Sequence, residues 1–478
     1  MRFAIIGAGM SGILASIKLG EAGFDDQVIY EKADRLGGTW RENTYPGIAC
    51  DVPSHLYSYS FAPNPGWSHQ FSPGDEIEGY FERVADEYGV TPRVRFGEKV
   101  SGLEWGDGRW RITTEAGTTD EAEVVIAATG VLHHPNLPDL AGLDTFAGPC
   151  FHSARWDHDV DLAGKRVGVI GTGSTAVQII SAIVGEVGHL DVFQRTPPWI
   201  FPVQNTAYST EELAAFRDEP ERLTRLHDTL AELFAGFAAA VTDAESQQNQ
   251  GIAAACVANL ENSVPDPELR ERLRPEYAPA CKRLIMSGDY YEAIQRPNAE
   301  VVTEGIEGVV PEGVRTKDGE LHELDVLVLA TGFKADAFMR PMDIVGRGGV
   351  TLAEAWDPRP NAYLSISIPE FPNLFMLNGP NGPVGNFSLI EVAELQMAYS
   401  MQLIEQLAAG GCAEISATQA AMDAHEEARV AEMGHTIWVT GCKSWYLDDR
   451  GIPATWPWPF QDFRDAMAAP DLAAYDLR

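Results

Sequence analysis

What this 478-residue sequence lacks narrows its function before any motif is considered. Lysine and arginine number 35 against 70 aspartates and glutamates, a formal net charge of −35. A negative balance of that size repels nucleic acid and anionic lipid surfaces, so neither DNA nor RNA is an expected partner. Cysteine is scarce: Cys50, Cys150, Cys256, Cys281, Cys412 and Cys442 form no CxxC pair and show no metal-like spacing. Neither a zinc site nor a redox disulfide is therefore expected, no metal is assigned, and a disulfide reductase is disfavoured. No apolar run approaches the roughly 20 residues that span a bilayer. The chain opens on MRFAIIGAG, already strand-like, which leaves no room for a signal peptide and makes the cytoplasm the expected location.

What remains is an ordinary globular composition, 45% hydrophobic and 22% charged, on a chain long enough for two or three lobes. Two glycine-rich turns dominate it. RFAIIGAGMSGILASIKL reads as an apolar strand, a turn carrying Gly7, Gly9 and Gly12, and a helix with small residues facing the strand. KRVGVIGTGSTAVQII repeats the order with Gly171, Gly173 and Ala176. In this setting the first glycine makes the tight turn, the second lets backbone approach a pyrophosphate, and the third slot allows close helix packing, with the helix N-terminus favouring the anion. Two dinucleotides are implied.

The next strand of each unit separates the two sites. Glu31 lies 24 residues after Gly7, and Arg195 lies 24 residues after Gly171. A carboxylate there accepts hydrogen bonds from a ribose diol and repels a 2′-phosphate, whereas arginine clamps that phosphate. The first site reads as FAD or NAD and the second as NADP, with Lys282 and Arg283 as further cations. LGGTW, where Gly37 and Gly38 admit close backbone approach, favours FAD in the first. Two apolar strands ending in ATG, VVIAATG at 124–130 and LVLATGF at 327–333, fit the returns between nucleotide domains, and NLFMLNGPNG fits a late strand meeting the flavin. FAGPCFHSARWD, Phe146 to Asp157, lies between the two turns and reads as neither helix nor strand.

These residues resemble the class B flavoprotein monooxygenases, and among them the Baeyer-Villiger monooxygenases. FAGPCFHSARWD is similar to their linker fingerprint at Phe146, Gly148, His152, Trp156 and Asp157; GGTWRENTYPGIACD, from Gly37 to Asp51, meets a second family pattern; and APACKRLIMSGDYYEAIQR places Lys282 and Arg283 on the family's Lys-Arg pair. The chain departs from longer members in having no N-terminal extension and a compact loop after Asn378. The resemblance implies an α/β fold of two Rossmann-like dinucleotide-binding domains, for FAD and NADP, with a helical insertion in the NADP domain. The expected division is 1–140 for the first FAD-binding segment, 141–165 for the linker, 166–325 for the NADP-binding domain with helices about 205–275, and 326–478 for the second FAD-binding segment.

The resemblance also implies a reaction and its residues. NADPH reduces FAD, the reduced flavin takes up dioxygen as a C4a-peroxyflavin, and one oxygen atom enters a ketone to give an ester or lactone. Arg283 is the expected fixed cation beside the flavin and Asp51 its orienting partner, with Trp40 and Tyr57 against the ring. The implied cofactor-binding set further takes in Ser11, Gly38, Thr39, Val100, Thr129 and Gly130 around the first turn, and Ser174, Thr175 and Thr196 around the second. Trp445, in SWYLDDRG, is expected to close over bound NADP. His152 is expected to couple domains as a hydrogen-bonded linker residue. Two other readings stay open: a flavin monooxygenase that oxidises nitrogen or sulfur, and an NADPH-sensing flavoprotein that regulates a partner.

Overall fold

The structure is a computed structural model that describes residues 1–383, 387–442 and 447–478. Two five-stranded parallel sheets organise it. In the first, Phe3–Ile6 is central, flanked on one side by Gln27–Tyr30 and Val94–Arg95 and on the other by Val124–Ala127 and Leu374–Met376. In the second, Arg166–Ile170 is central, with His189–Phe193 and Ala299–Val302 on one side and Val326–Leu329 and Cys150–His152 on the other. FAII and VLVL are buried at every position. Strands covered on both faces lose the in-out alternation and read as continuous apolar runs, which is why these two were legible. In each sheet the chain reverses its direction of growth beside the central strand, so the carboxyl ends there open a crevice for a nucleotide.

Two features depart from the expectations above. FAGPCFHSARWD contains a short strand, Cys150–His152, at the edge of the second sheet in register with Leu327–Leu329, followed by the 3₁₀ turn Ser153–Arg155. Three residues carry too little periodicity to show a strand in sequence, and the segment is held by backbone pairing instead. Val326–Leu329 also belongs to the second sheet, whereas residues from 326 onward were expected in the returning first domain. A buried run of four apolar residues says that a strand is interior, and it does not say which sheet is its host.

The region 205–275 is helical, as Thr210–Asp218, Pro220–Thr242, Gln247–Ser263 and Pro267–Arg272. Ser209 and Glu212 form a reciprocal capping box that starts the first of these. The long helix Pro220–Thr242 serves both lobes: Leu230, Phe234 and Ala238 enter the core of the first, and Ala240 enters that of the second. Among the described residues no helix is long and apolar enough to cross a membrane.

Candidate active site

At the first turn the glycines are required by contact. Gly7 has φ +106°, and a Cβ there would stand 2.5 Å from the Ala128 carbonyl oxygen. Gly38, at φ +55°, faces Gly9 so closely that its Cβ would lie 2.8 Å from the Gly9 Cα. The helix Met10–Glu21 begins at Gly9 without a side-chain cap, leaving its first N–H groups open. A cradle without side chains, lined by open N–H groups, fits a pyrophosphate. Thr39 starts the short helix after Gly38, and Thr129 and Gly130 follow Val124–Ala127 at the same sheet end. Asn378, just past the last strand, donates from Nδ2 to Ser11 Oγ at 3.2 Å, which brings the late segment to the turn.

Glu31 is buried at the end of its strand, and its carboxylate accepts from the Ala8 N–H at 2.9 Å and the Ala33 N–H at 3.0 Å. Arg41 pairs with it at 2.9 Å, a contact not foreseen from sequence. With three of about four acceptor positions engaged, Glu31 fixes the turn and keeps roughly one position for a ribose hydroxyl. The Glu98 N–H donates to the Glu31 carbonyl at 2.9 Å, two residues before buried Val100, so the Val100 strand starts beside the backbone of Glu31.

The second turn repeats the construction. Gly171 has φ +128°, and a Cβ there would collide with the Ala330 carbonyl oxygen. Gly173 precedes the helix Ser174–Ile183, again without a side-chain cap, so Ser174 and Thr175 occupy its open first turn. Thr172 Oγ1 donates to the Thr196 carbonyl at 2.8 Å, tying the turn to the residue after Arg195. Arg195 is exposed, and no carboxylate is paired with it among the described residues. Burial, and then the nearby Arg195 charge, pull the Lys282 ammonium below its ordinary value. Two cations that repel each other beside an open helix N-terminus fit a 2′-phosphate.

Asp51 and Arg283 meet across the two lobes. Arg283 Nε donates to Asp51 Oδ2 at 2.9 Å and Nη2 to Oδ1 at 2.6 Å, a two-point contact with both side chains partly buried. A fork of this kind fixes the plane of the guanidinium as well as its position. Trp40 Nε1 donates to the Tyr57 hydroxyl at 3.3 Å, with the rings edge to face at 5.7 Å, and burial pushes the Tyr57 phenol upward. The loop carrying Asp51 is anchored to the second lobe: Tyr45 donates to Gln178 Oε1 at 2.9 Å, and Gln178 Nε2 donates to the Ala49 carbonyl at 2.9 Å. A neighbouring cleft of about 450 Å³ holds Trp40 and Asn205 in its walls.

The linker residues do structural work. His152 is buried, its Nδ1 accepts from the Ala154 N–H at 3.1 Å, and burial lowers its pKa. Gly148 passes so close to the Asp325 carbonyl that a Cβ would collide, and Phe146 packs under the second sheet. Trp156 lies edge to face with Phe151 at 5.0 Å, while exposed Asp157 accepts from the Asp159 N–H at 3.0 Å. The linker's tie to the first lobe falls on residues that sequence reasoning missed: Arg155 pairs with Glu42 at 2.8 Å, and Thr44 bonds His158 at 2.7 Å. Burial would raise the Glu42 carboxyl, but Lys32, Arg41 and Arg155 hold it down at about 2.

One covalent link was not foreseen from sequence. Cys281 and Cys442, separated by 161 positions, form a disulfide with their Cα atoms 6.2 Å apart. Local spacing cannot reveal a bridge between such distant segments. The bridge ties the residue before Lys282 and Arg283 to the C-terminal segment. Trp445 lies outside the described residues.

Comparison with known proteins agrees with this construction. A family model described as flavin-binding monooxygenase-like matches residues 1–225. A protein of Mycobacterium tuberculosis described as an uncharacterized monooxygenase is 46% identical over 475 residues, covering 99% of this chain and 96% of the relative. A Baeyer-Villiger monooxygenase of Streptomyces coelicolor is 40% identical over 482 residues, covering 100% of this chain and 92% of the relative. The crystal structure of cyclohexanone monooxygenase from Rhodococcus sp. Phi1 bound to NADP+ superposes with a TM-score of 0.89 at 31% identity, covering 100% of this chain and 99% of that one. With its paired dinucleotide turns and its fixed Asp51–Arg283 charge pair, the chain belongs to the flavin-binding monooxygenase family, on the Baeyer-Villiger side.

Proposed function

We propose that this protein is an NADPH- and FAD-dependent Baeyer-Villiger monooxygenase acting on a small-molecule ketone, and that Arg283 and Asp51 carry its oxygen-inserting step. The balance is ketone, dioxygen, NADPH and a proton giving ester or lactone, NADP and water. Bound NADPH supplies the hydride, and bound FAD supplies the reaction with dioxygen. The chain's own residues supply position and charge. Gly9 and Gly38 keep side chains away from the FAD pyrophosphate, Gly7 and Gly12 let strand, turn and helix pack closely, and Glu31 holds the turn and takes a ribose hydroxyl. Gly171, Gly173, Ser174, Thr175 and Thr196 form the NADP cradle, where Arg195 and Lys282 select the 2′-phosphate.

Negative charge grows on the ketone oxygen as oxygen is inserted. A cation already oriented for that charge stabilises it without reorganising during the reaction, the role assigned to Arg283. Asp51 keeps the guanidinium in one plane and partly neutralises it, so that Arg283 does not trap an anion in the resting state. Trp40 and Tyr57 exclude water on the side of the first lobe.

The observation that carries this reading is the two-point Asp51–Arg283 contact made between the lobes that bear the two dinucleotide turns. Its test is NADPH oxidation by the purified yellow protein against cyclic, linear and aromatic ketones under ¹⁸O₂, with products identified by mass. At least one ketone is expected to yield an ester or lactone carrying one ¹⁸O atom in step with NADPH loss. Conversion of amines or sulfides alone would assign the chain to heteroatom oxidation, and binding of both nucleotides without substrate-dependent oxygen uptake would assign it to sensing.

A further inference from the structure

A second cluster lies at the end of the NADP-side sheet remote from its nucleotide turn. His189 and Asp191 stand two residues apart on one strand and so share a face. Glu300 is the direct register partner of Asp191 on the adjacent parallel strand, which puts it on that face too. Donor atoms of these three side chains all lie within 4.8 Å of one another. The hairpin strand Leu321–Glu323 brings His322 to the same carboxylate from outside that group of three. His189 Nε2 is 3.2 Å and His322 Nδ1 is 3.7 Å from Asp191 Oδ1.

We propose that His189, Asp191 and Glu300, joined by His322 through a shift of its ring toward the other three, form a binding site for a borderline divalent cation of the zinc class. Two donors at corners of a tetrahedral zinc site, each about 2.0 to 2.2 Å from the metal, stand about 3.3 to 3.6 Å apart, and the two distances to Asp191, 3.2 and 3.7 Å, bracket that edge. The donor set, two imidazole nitrogens and two carboxylates, suits zinc and its neighbours rather than calcium or magnesium.

Two observations point to a ligand. The Asp191 side chain is 3% exposed and has no lysine or arginine partner among the described residues. A buried carboxylate without a full counter-charge is costly, and a dication would offset it. The His322 side chain is 6% exposed, lies edge to face with Phe193 at 5.4 Å, and has no hydrogen bond to its ring among the described residues. Its Nδ1 is aimed at the carboxylate from beyond hydrogen-bonding reach. The four donors come from three strands, so no metal-like spacing exists to be read in sequence. Arg195 follows the opposite end of the His189 strand, so the cation would staple the three-stranded sheet Ile306–Glu323 to the domain without touching nucleotide chemistry.

The test uses the FAD-bound enzyme stripped with a chelator and titrated with zinc chloride by calorimetry. Cobalt(II) serves as the spectroscopic probe. One zinc per chain is expected, with a rise in Tm on binding and a tetrahedral cobalt spectrum lacking thiolate-to-metal charge transfer. His322→Ala should weaken zinc binding by more than about tenfold while NADPH oxidation persists. His189→Gln, at a partly exposed position that tolerates the change should His322→Ala not fold, should abolish the Tm rise. No saturable binding, equal affinity in the variants, or cobalt bands showing thiolate ligands would each overturn the site.

Discussion

A charged side chain in this protein is informative when its partner is missing or comes from the other lobe. Among the described residues most arginines have a carboxylate within reach, as expected at a net charge of −35. Among the described residues Arg195, like several other arginines, does not, and Lys282 is near enough to feel its charge. A charge-assisted hydrogen bond to a phosphate contributes about 1.5 to 3 kcal/mol, and the exposure of Arg195 places it at the lower end, about tenfold in affinity. Arg195→Ala is therefore expected to raise KM for NADPH about tenfold with little change for NADH, measured by steady-state oxidation of each coenzyme. Equal losses for both would show that Arg195 does not read the 2′-phosphate. Residue type and offset made Glu31 and Arg195 legible in sequence. Arg41, which shares the Glu31 carboxylate, was not, because nothing in TWRE separates a buried arginine from a solvated one.

The glycine turns are elements whose backbone leaves no alternative residue. At Gly171 an alanine meets both an unfavourable φ and the Ala330 carbonyl. Such strain costs about 1 to 3 kcal/mol before the collision is added. Gly171→Ala is expected to keep its bound FAD and yellow colour while losing saturable NADP binding, followed by titrating the flavin absorbance with NADP. Loss of FAD as well, or unchanged NADP binding, would contradict the assignment of the two turns to separate nucleotides. Strand, glycine turn and helix were legible together because apolar runs and glycines are both local signals. The edge strand Cys150–His152 and the Cys281–Cys442 bridge were not, since each is defined by a partner more than a hundred residues away.

At the scale of the whole molecule the two lobes are joined by the helix Pro220–Thr242, by Tyr45 and Gln178, and by Arg155 with Glu42. Buried imidazoles add a pH dependence. Burial lowers His55 to about 4, helped by His227; His133 to about 3, helped by Lys32; and His425 to about 4, helped by Arg429. Each folded value lies below the ordinary 6.5, so the unfolded chain takes up these protons first as pH falls. The stability they contribute is complete above about pH 6.5 and is lost progressively toward pH 4, at up to about 1.4 kcal/mol per pH unit for each. Denaturant unfolding of the FAD-bound protein should accordingly show a lower midpoint at pH 5 than at pH 7.5, and a flat profile would refute the neutral burial of these rings. The Asp51–Arg283 pair belongs to this scale too, because its partners come from different lobes and the role proposed for its charge falls after hydride has passed from bound NADPH to bound FAD. The decisive measurement is Arg283→Ala, followed first by anaerobic stopped-flow reduction with NADPH and then by ketone conversion in air. FAD binding and reduction near the wild-type rate are expected, with ester formation reduced by about 100- to 1000-fold. Ketone conversion at the wild-type rate would contradict the role of the Arg283 charge, and loss of FAD or of reduction would make that residue part of the scaffold.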